Sequence, residues 1–87
     1  MDFEFDPVKS AANLAKHGID FVRAQAIWDD PDRLETPARS EDEPRVQVIG
    51  RVGTAVWSAF VTTREGRIRI ISVRRARHEE EAAYLDS

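Results

Sequence analysis

The chain has no cysteine, one methionine, four glycines and four prolines among its 87 residues. The absence of cysteine excludes a disulfide framework and any thiolate metal site, and it is typical of proteins from a reducing compartment. No apolar run approaches the ~20 residues that a membrane-spanning helix requires. Because acidic residues stand where a secretory signal carries positive charge, we expect a cytoplasmic protein.

The residues that are present predict one small domain over residues 1–87. Hydrophobic residues make up 41% of the chain and charged residues 33%, a balance typical of folded proteins and not of disordered ones. A chain of this length buries only somewhat more than ~60% of its unfolded surface, so it has material for a single core. No repeat or low-complexity tract divides it.

Positive charge is concentrated near the C-terminal end, although the net charge is −3. Residues 64–78 hold six arginines and one glutamate, a local balance of +5 that leaves −8 for the rest of the chain. A polyanion docks on a local patch, whatever the net charge of the protein. This distribution therefore keeps nucleic acid among the possible partners.

Two helices are predicted in the first third of the chain. Asp6 can cap a helix that runs to about His17, and Gly18 is placed to end it. A second helix, from Phe21 to about Trp28, places the Trp28 ring in the core by its helical spacing. At 100° per residue, the core side of the first helix consists of four apolar residues: Val8, Ala11, Leu14 and Ala15.

Strand signals surround these helices. A short first strand covers residues 3–5, and the polar segment 31–44 is predicted as a loop. Three alternating segments joined by glycine-containing turns predict an antiparallel meander, over residues 45–51, 55–62 and 67–73, before a helix over 76–85. The sequence therefore predicts an α+β domain in the order β-α-α-β-β-β-α, with an antiparallel sheet and its helices packed on one face.

Strand alternation assigns faces to the arginine-rich segment 67–75. One face carries Ile68, Ile70, Ser72 and Arg74, and the other carries Arg67, Arg69, Ile71 and Arg75. Arg74 is thus predicted to leave the core-facing side of the strand at its end, where an arginine can line a cleft. The alternative is that these arginines only keep an exposed strand in solution.

Two motifs in the chain resemble those of the BrnT family of toxins. The first covers residues 3–24 and reads FEFD-x2-K-x3-N-x2-KHGI-x-F-x2-A. The second covers residues 69–76 and reads RIIS-x-RRA, with Glu80 and Tyr84 beyond it. Arg45 matches an arginine that follows the acidic loop of that family. The resemblance extends over almost the whole chain in the right order.

The resemblance implies a RelE-like fold and an RNA-cleaving toxin that inhibits translation and growth. It also implies a partner antitoxin of the BrnA type, a ribbon-helix-helix protein, through which alone the complex binds operator DNA. The candidate catalytic residues are Lys16, His17, Arg74 and Tyr84. The candidate substrate-binding residues are Arg45, Arg69, Arg75 and Glu80.

Metal-free RNA cleavage needs a base for the 2′-hydroxyl proton, an acid for the leaving 5′ oxygen, and cations around the phosphorane. A histidine side chain titrates near ~6.5, which suits His17 as the base, whereas an arginine does not deprotonate. Tyr84 is a candidate for positioning the substrate or donating a proton. Glu80 is either a second base or the ion-pair partner of Arg75 or His78.

No metal or cofactor is expected. The acidic runs at 29–32 and 79–81 lack the spacing typical of metal ligands, and no phosphate-binding glycine loop occurs. Two function classes stay open, since both use the same arginines. One is a metal-independent ribonuclease toxin. The other is a non-catalytic or attenuated module that binds a DNA-binding antitoxin as co-repressor, which an acidic C-terminal helix would also suit.

Overall fold

Five strands and three helical segments are described by the computed structural model, which covers residues 1–39 and 43–87. The strands are β1 (Phe3–Glu4), β2 (Leu34–Ala38), β3 (Arg45–Val52), β4 (Ala55–Arg64) and β5 (Arg67–Arg75). The helices are α1 (Pro7–His17), a 3-10 helix (Arg23–Asp29) and α2 (His78–Leu85). The α+β class predicted from the sequence is confirmed. In these two stretches, no helix combines the length and the hydropathy that a bilayer crossing needs.

The first helix begins and ends where its capping residues stand. The Asp6 carboxylate accepts a hydrogen bond of 2.9 Å from the backbone N–H of Val8, and Gly18 ends the helix in the left-handed conformation with φ 82°. Asp20 likewise accepts from the backbone N–H of Arg23 at 2.7 Å. The segment that follows is a 3-10 helix of seven residues, so the prediction of an α-helix there is only partly right.

The sheet is mixed, with the strand order β1-β5-β4-β3-β2. The meander of β3, β4 and β5 is antiparallel as predicted, but β1 pairs with β5 in parallel. The predicted loop 31–44 is wrong at β2, which pairs antiparallel with β3. Pro37 is tolerated in β2 because this strand lies at the edge of the sheet. Residues 40–42 of that predicted loop lie outside the described residues.

Hydrophobic clusters lie on both faces of the sheet. The larger one includes Phe21 and Ile27 from the segment after α1, packed against Val48 of β3. The smaller one joins Tyr84 of α2 to Ile49 of β3. Since neighbouring residues of a strand point to opposite faces, α2 lies across the sheet from the 3-10 helix. The prediction that all helices pack on one face is therefore wrong.

The side of α1 that faces the sheet is polar. Ser10 and Asn13 are each only 7% exposed, whereas Val8 is 76% and Leu14 50% exposed. The other two residues of the predicted core side, Ala11 and Ala15, are exposed as well. The prediction of an apolar core side for α1 is therefore wrong, and its cause lies in the hydrogen bonds that the buried side makes.

Asn13 bonds to the edge of β5 where β1 no longer covers it. Its side-chain amide donates to the carbonyl oxygens of Val73 at 2.9 Å and Ile19 at 2.8 Å, and it accepts from the N–H of Val73 at 3.2 Å. The Ser10 hydroxyl accepts from the N–H of Phe21 at 2.9 Å. Buried backbone groups need partners, so these polar side chains take the inward positions.

One residue of β5 has no partner in β4. Phe60 pairs with Ser72 and Val61 pairs with Ile70, so Ile71 is the extra residue of a β-bulge. Because alternation has a period of two residues, one inserted residue reverses the faces of everything that follows.

The bulge decides which face each arginine occupies. Arg69 pairs with Thr62 and Arg74 pairs with Ser58. Ser58 and Thr62 share a face of β4, so Arg69 and Arg74 share it too. The prediction that Arg74 lies on the face of Ile70 is wrong, since it assumes uninterrupted alternation.

We expect Asn13→Ala to lower the free energy of unfolding by about 2–4 kcal/mol, because it leaves buried backbone groups of β5 without partners. Leu14→Ala is the matched control on the same helix, and its half-exposed side chain should cost less than about 1 kcal/mol. Urea denaturation of both variants measures the difference. A larger loss for Leu14→Ala than for Asn13→Ala would contradict this account of α1.

Candidate functional site

The sheet face opposite the larger hydrophobic cluster gathers three of the predicted arginines. We term it the arginine face, and its residues are Arg45 and Gln47 on β3, Ser58, Phe60 and Thr62 on β4, and Arg69, Ser72 and Arg74 on β5. The three arginine side chains, the Phe60 ring and Ser72 are each half-buried. The face therefore offers charged, aromatic and hydroxyl groups side by side.

Arg74 is held in place by a carboxylate from α2. Its two terminal nitrogens donate to the two carboxylate oxygens of Glu80, at 2.7 and 2.8 Å. Glu80 also accepts from the Gln47 amide at 2.8 Å, the Ser58 hydroxyl at 3.0 Å and the backbone N–H of Arg77 at 2.8 Å. A bidentate pair fixes the plane of the guanidinium as well as its position.

This network sets the protonation of Glu80. The hydrogen bonds from Arg74 lower the pKa of Glu80 well below its usual range, against the opposing effect of burial. In return, Glu80 raises the pKa of Arg74. A carboxylate with five donors and a depressed pKa has little affinity for a further proton. Glu80 is thus an ion-pair partner, as one of the two alternatives predicted. Its partner is Arg74, whereas the sequence predicts Arg75 or His78.

The other two arginines of this face differ from Arg74 in their contacts. Arg69 lies 3.7 Å from the Glu4 carboxylate of β1 in a half-exposed ion pair. The Nε atom of Arg45 is buried and has no hydrogen-bond partner among the described residues. The planar guanidinium group of an arginine suits the binding of an anion such as a phosphate.

Lys16 and His17 line a depression between α1 and β5. This depression has a volume of about 220 Å³. Its other residues include Lys9, Asn13 and Ser72, so four polar side chains of α1 come together there. Ser72 also belongs to the arginine face, and it therefore connects the two groups of cations at the β5 edge of the sheet.

Tyr84 lies near the C-terminal end of α2 and does not line the depression. Its hydroxyl donates to Asp30 at 2.5 Å, and this hydrogen bond together with burial raises the pKa of Tyr84. Burial would raise the pKa of Asp30, but the hydrogen bonds from Tyr84, Arg51 and Asp32 lower it. The hydroxyl proton is thus committed to a carboxylate, and the catalytic role assigned to Tyr84 from the sequence stays a prediction.

Arg75 occupies the opposite face. It pairs in register with Trp57, and its guanidinium carbon lies 5.5 Å from the centre of the Trp57 ring. Trp57 packs against the larger cluster. The structure therefore separates Arg75 from the three arginines with which the sequence groups it.

Several residues of the site carry no motif. Gln47, Ser58 and Phe60 reach the site only through sheet register, and strand pairing over a dozen or more residues is not visible in a local pattern. No cluster of three or more His, Asp or Glu side chains with metal-binding geometry occurs within residues 1–39 and 43–87.

We expect the Glu80 network to give the protein an acid-sensitive stability. Because the folded-state pKa lies below the ordinary value of 4.5, the network stabilises the fold fully above that value and loses its effect as the pH falls. Glu80→Gln should therefore flatten the fall in unfolding free energy below about pH 4.5 by at most about 1.4 kcal/mol per pH unit. Urea denaturation at pH 7 and pH 3 measures this.

Glu81→Gln is the matched control, since it removes a carboxylate of α2 that takes no part in the network. Its unfolding free energy should fall with acid pH as steeply as that of the unmodified protein. If the unfolding free energy of Glu80→Gln fell equally steeply at acid pH, the depressed pKa of Glu80 would not contribute to the stability of the fold.

Comparison with family models gives a match over most of the chain. A family model described as "Ribonuclease toxin, BrnT, of type II toxin-antitoxin system" matches residues 5–80. A search of curated proteins found no match. The matched segment includes α1, the whole sheet from β2 to β5 and the start of α2 with Glu80. The chain belongs to the BrnT family of ribonuclease toxins, whose members act in type II toxin–antitoxin systems with an antitoxin partner.

Proposed function

We propose that this protein is a metal-independent endoribonuclease that cleaves RNA at the arginine face and thereby inhibits translation and growth in the cytoplasm. The observation that carries the proposal is the bulge at Ile71, which turns Arg69, Ser72 and Arg74 onto one face beside Arg45. The RelE-like relationship and the ribbon-helix-helix type of the antitoxin remain predictions from the resemblance.

The arginines bind the phosphates of the RNA backbone. Arg45 and Arg69 flank Thr62 on the neighbouring strands, and Arg74 lies further along β5. Because strands in a sheet lie ~4.8 Å apart, guanidinium groups on β3 and β5 can contact successive phosphates of one strand. Permanent charge and several donors let them stabilise the phosphorane without a metal.

His17 and Lys16 supply the proton transfers. The 2′ oxygen attacks the phosphorus while the 2′-hydroxyl proton moves to the His17 imidazole. The bond from phosphorus to the 5′ oxygen then breaks, and the Lys16 ammonium donates the proton that the leaving oxygen needs. Both side chains line the depression that opens at Ser72, so they approach a phosphate held there from the edge of β5.

Glu80 acts on catalysis through Arg74. It holds the guanidinium with two hydrogen bonds and is itself fixed by Gln47 and Ser58. We therefore assign Glu80 a positioning role and no proton transfer. Arg75 and Tyr84 are left outside the proposed site, because one faces the other side of the sheet and the other donates to Asp30.

We expect His17→Ala to lower the rate of RNA cleavage by about 10²- to 10⁴-fold, as loss of a general base does, and Lys16→Ala to lower it as well. Arg69→Ala should lower the cleavage rate by about ten- to hundredfold, because the charge-assisted contacts to phosphate are lost. Purified protein and a labelled RNA measure the rates, and induced expression in a bacterial host measures growth arrest. Cleavage should continue in EDTA.

Arg75→Ala is the matched control for Arg69→Ala, because it removes the same charge from the opposite face of the same strand. It should cleave within about threefold of the unmodified protein, since exposed surface charges away from a site matter little. Full growth arrest with Lys16 and His17 both changed would overturn the catalytic assignment. Intact RNA together with antitoxin-dependent repression would favour the co-repressor module instead.

We propose that the antitoxin covers residues 64–78 with an acidic or amphipathic segment and provides all DNA binding. The local charge of +5 there attracts such a segment, whereas the −8 on the remaining residues opposes operator DNA. In mobility-shift assays, the toxin alone should leave its promoter DNA unshifted, and the antitoxin alone or with the toxin should shift it. Tight sequence-specific binding by the toxin alone would contradict this division.

A further inference from the structure

Phe60 is the one aromatic residue of the protein that does not belong to a hydrophobic cluster. The chain has seven aromatic residues. Phe3, Phe5, Phe21, Trp28 and Trp57 belong to or pack against the larger cluster, and Tyr84 belongs to the smaller one. All seven lie within the described stretches, so the comparison is complete. A half-buried phenyl ring that supports no core calls for a different explanation.

The ring lies in the middle of the arginine face. Its register partners are Ser72 on β5 and Gln47 on β3. The guanidinium carbon of Arg74 lies 5.1 Å from the ring centre. Arg45 and Arg69 flank Thr62, which lies two residues further along β4 than Phe60. Phe60 is thus surrounded by the groups to which the proposed function assigns phosphate binding.

Trp57 and Arg75 form a similar aromatic–guanidinium pair on the other face, where the aromatic ring has a structural role. Trp57 also carries a guanidinium over its ring, that of Arg75 at 5.5 Å. Unlike Phe60, Trp57 packs against the larger cluster and so contributes apolar contacts to the fold. The cation contact alone therefore does not account for a large aromatic side chain at position 60, where a smaller residue would leave the core intact.

We propose that Phe60 is a stacking platform for one unpaired base of the RNA substrate. The Arg74 guanidinium lies over one part of the ring, 5.1 Å from its centre, and the base lies against the rest of the phenyl face while Arg45 and Arg69 hold the neighbouring phosphate. This inference rests on the proposed function and names its substrate class: single-stranded RNA, or a segment whose base can leave the stack. Every base has a π-face, so the platform tolerates any sequence.

The geometry excludes a paired helix at this position. In a duplex, each base is stacked between its neighbours and its flat face is not available to a side chain. A ring that lies in a sheet surface can contact a base face only if that base is unstacked. The arginines, in contrast, bind phosphates of single or double strands, so the aromatic residue is what discriminates between them.

Binding measured on a protein that does not cleave separates the platform from the chemistry. His17→Ala is the background, and Phe60→Leu and Phe60→Trp are added to it. The probes are a short fluorescein-labelled single-stranded RNA and the same sequence annealed to its complement, followed by fluorescence anisotropy. Thermal melts check that each variant folds.

Phe60→Leu should weaken single-strand binding by about five- to hundredfold, the range for loss of one stacked base, and leave duplex binding within about twofold. Phe60→Trp should restore single-strand affinity, and RNA should quench its added indole fluorescence while the fluorescence of Trp28 and Trp57 in the background protein is unchanged. Rescue by tryptophan keeps the test valid if leucine destabilises the fold.

The possible failures are distinguishable. If single-strand binding depends on Phe60 but the unmodified protein shows no ribonuclease activity, the platform is supported and the proposed catalysis is overturned. Active cleavage with equal binding by the phenylalanine and leucine proteins overturns the platform alone. A Phe60→Leu effect on antitoxin binding with RNA binding unchanged also overturns it, since the ring would then belong to the protein interface.

Discussion

The extra residue in β5 is the constraint from which the rest of the site follows. Without the bulge at Ile71, Arg69 and Arg74 would point to opposite faces, because their positions differ by an odd number of residues. With it, both arginines and Ser72 share one face, and Val73 turns to the core. The same register leaves the outer backbone groups of Val73 beside α1, where Asn13 bonds them. Core, helix docking and arginine face thus depend on a single unpaired residue.

The acidic C-terminal helix has a structural use that its charge alone does not reveal. Glu79, Glu80 and Glu81 all lie in the first turn of α2, where the positive end of the helix dipole stabilises carboxylates. Glu80 extends this effect to the sheet by binding Arg74, with the buried Ser58 beneath it. The Glu80 carboxylate of α2 orients the Arg74 guanidinium of the sheet. An acidic helix is therefore compatible with an anion-binding face.

The parts of the fold that were predictable are those with local causes. Asp6 and Gly18 bound α1 because a cap acts within a few residues. The burial of Asn13 was not predictable in this way, because its partner Val73 lies 60 residues further along the chain. Residue spacing also contained an unused signal of the bulge: apolar residues stand at 68 and 70 and then at 71 and 73, a change from even to odd positions. That change of phase marks an inserted residue in a strand.

The candidate site was harder to predict than the fold because it is assembled across strands. Six arginines in residues 64–78 form one charged segment in sequence, but the sheet divides them, placing Arg69 and Arg74 on one face and Arg75 on the other. Arg45 then joins the first pair from β3 through the register with β4. The local charge balance of residues 64–78 therefore counts Arg75, which lies on the opposite face, and it omits Arg45 of β3. Strand register determines which arginines lie together. Residue spacing alone therefore identifies the residue types of the site but not which of them share a face.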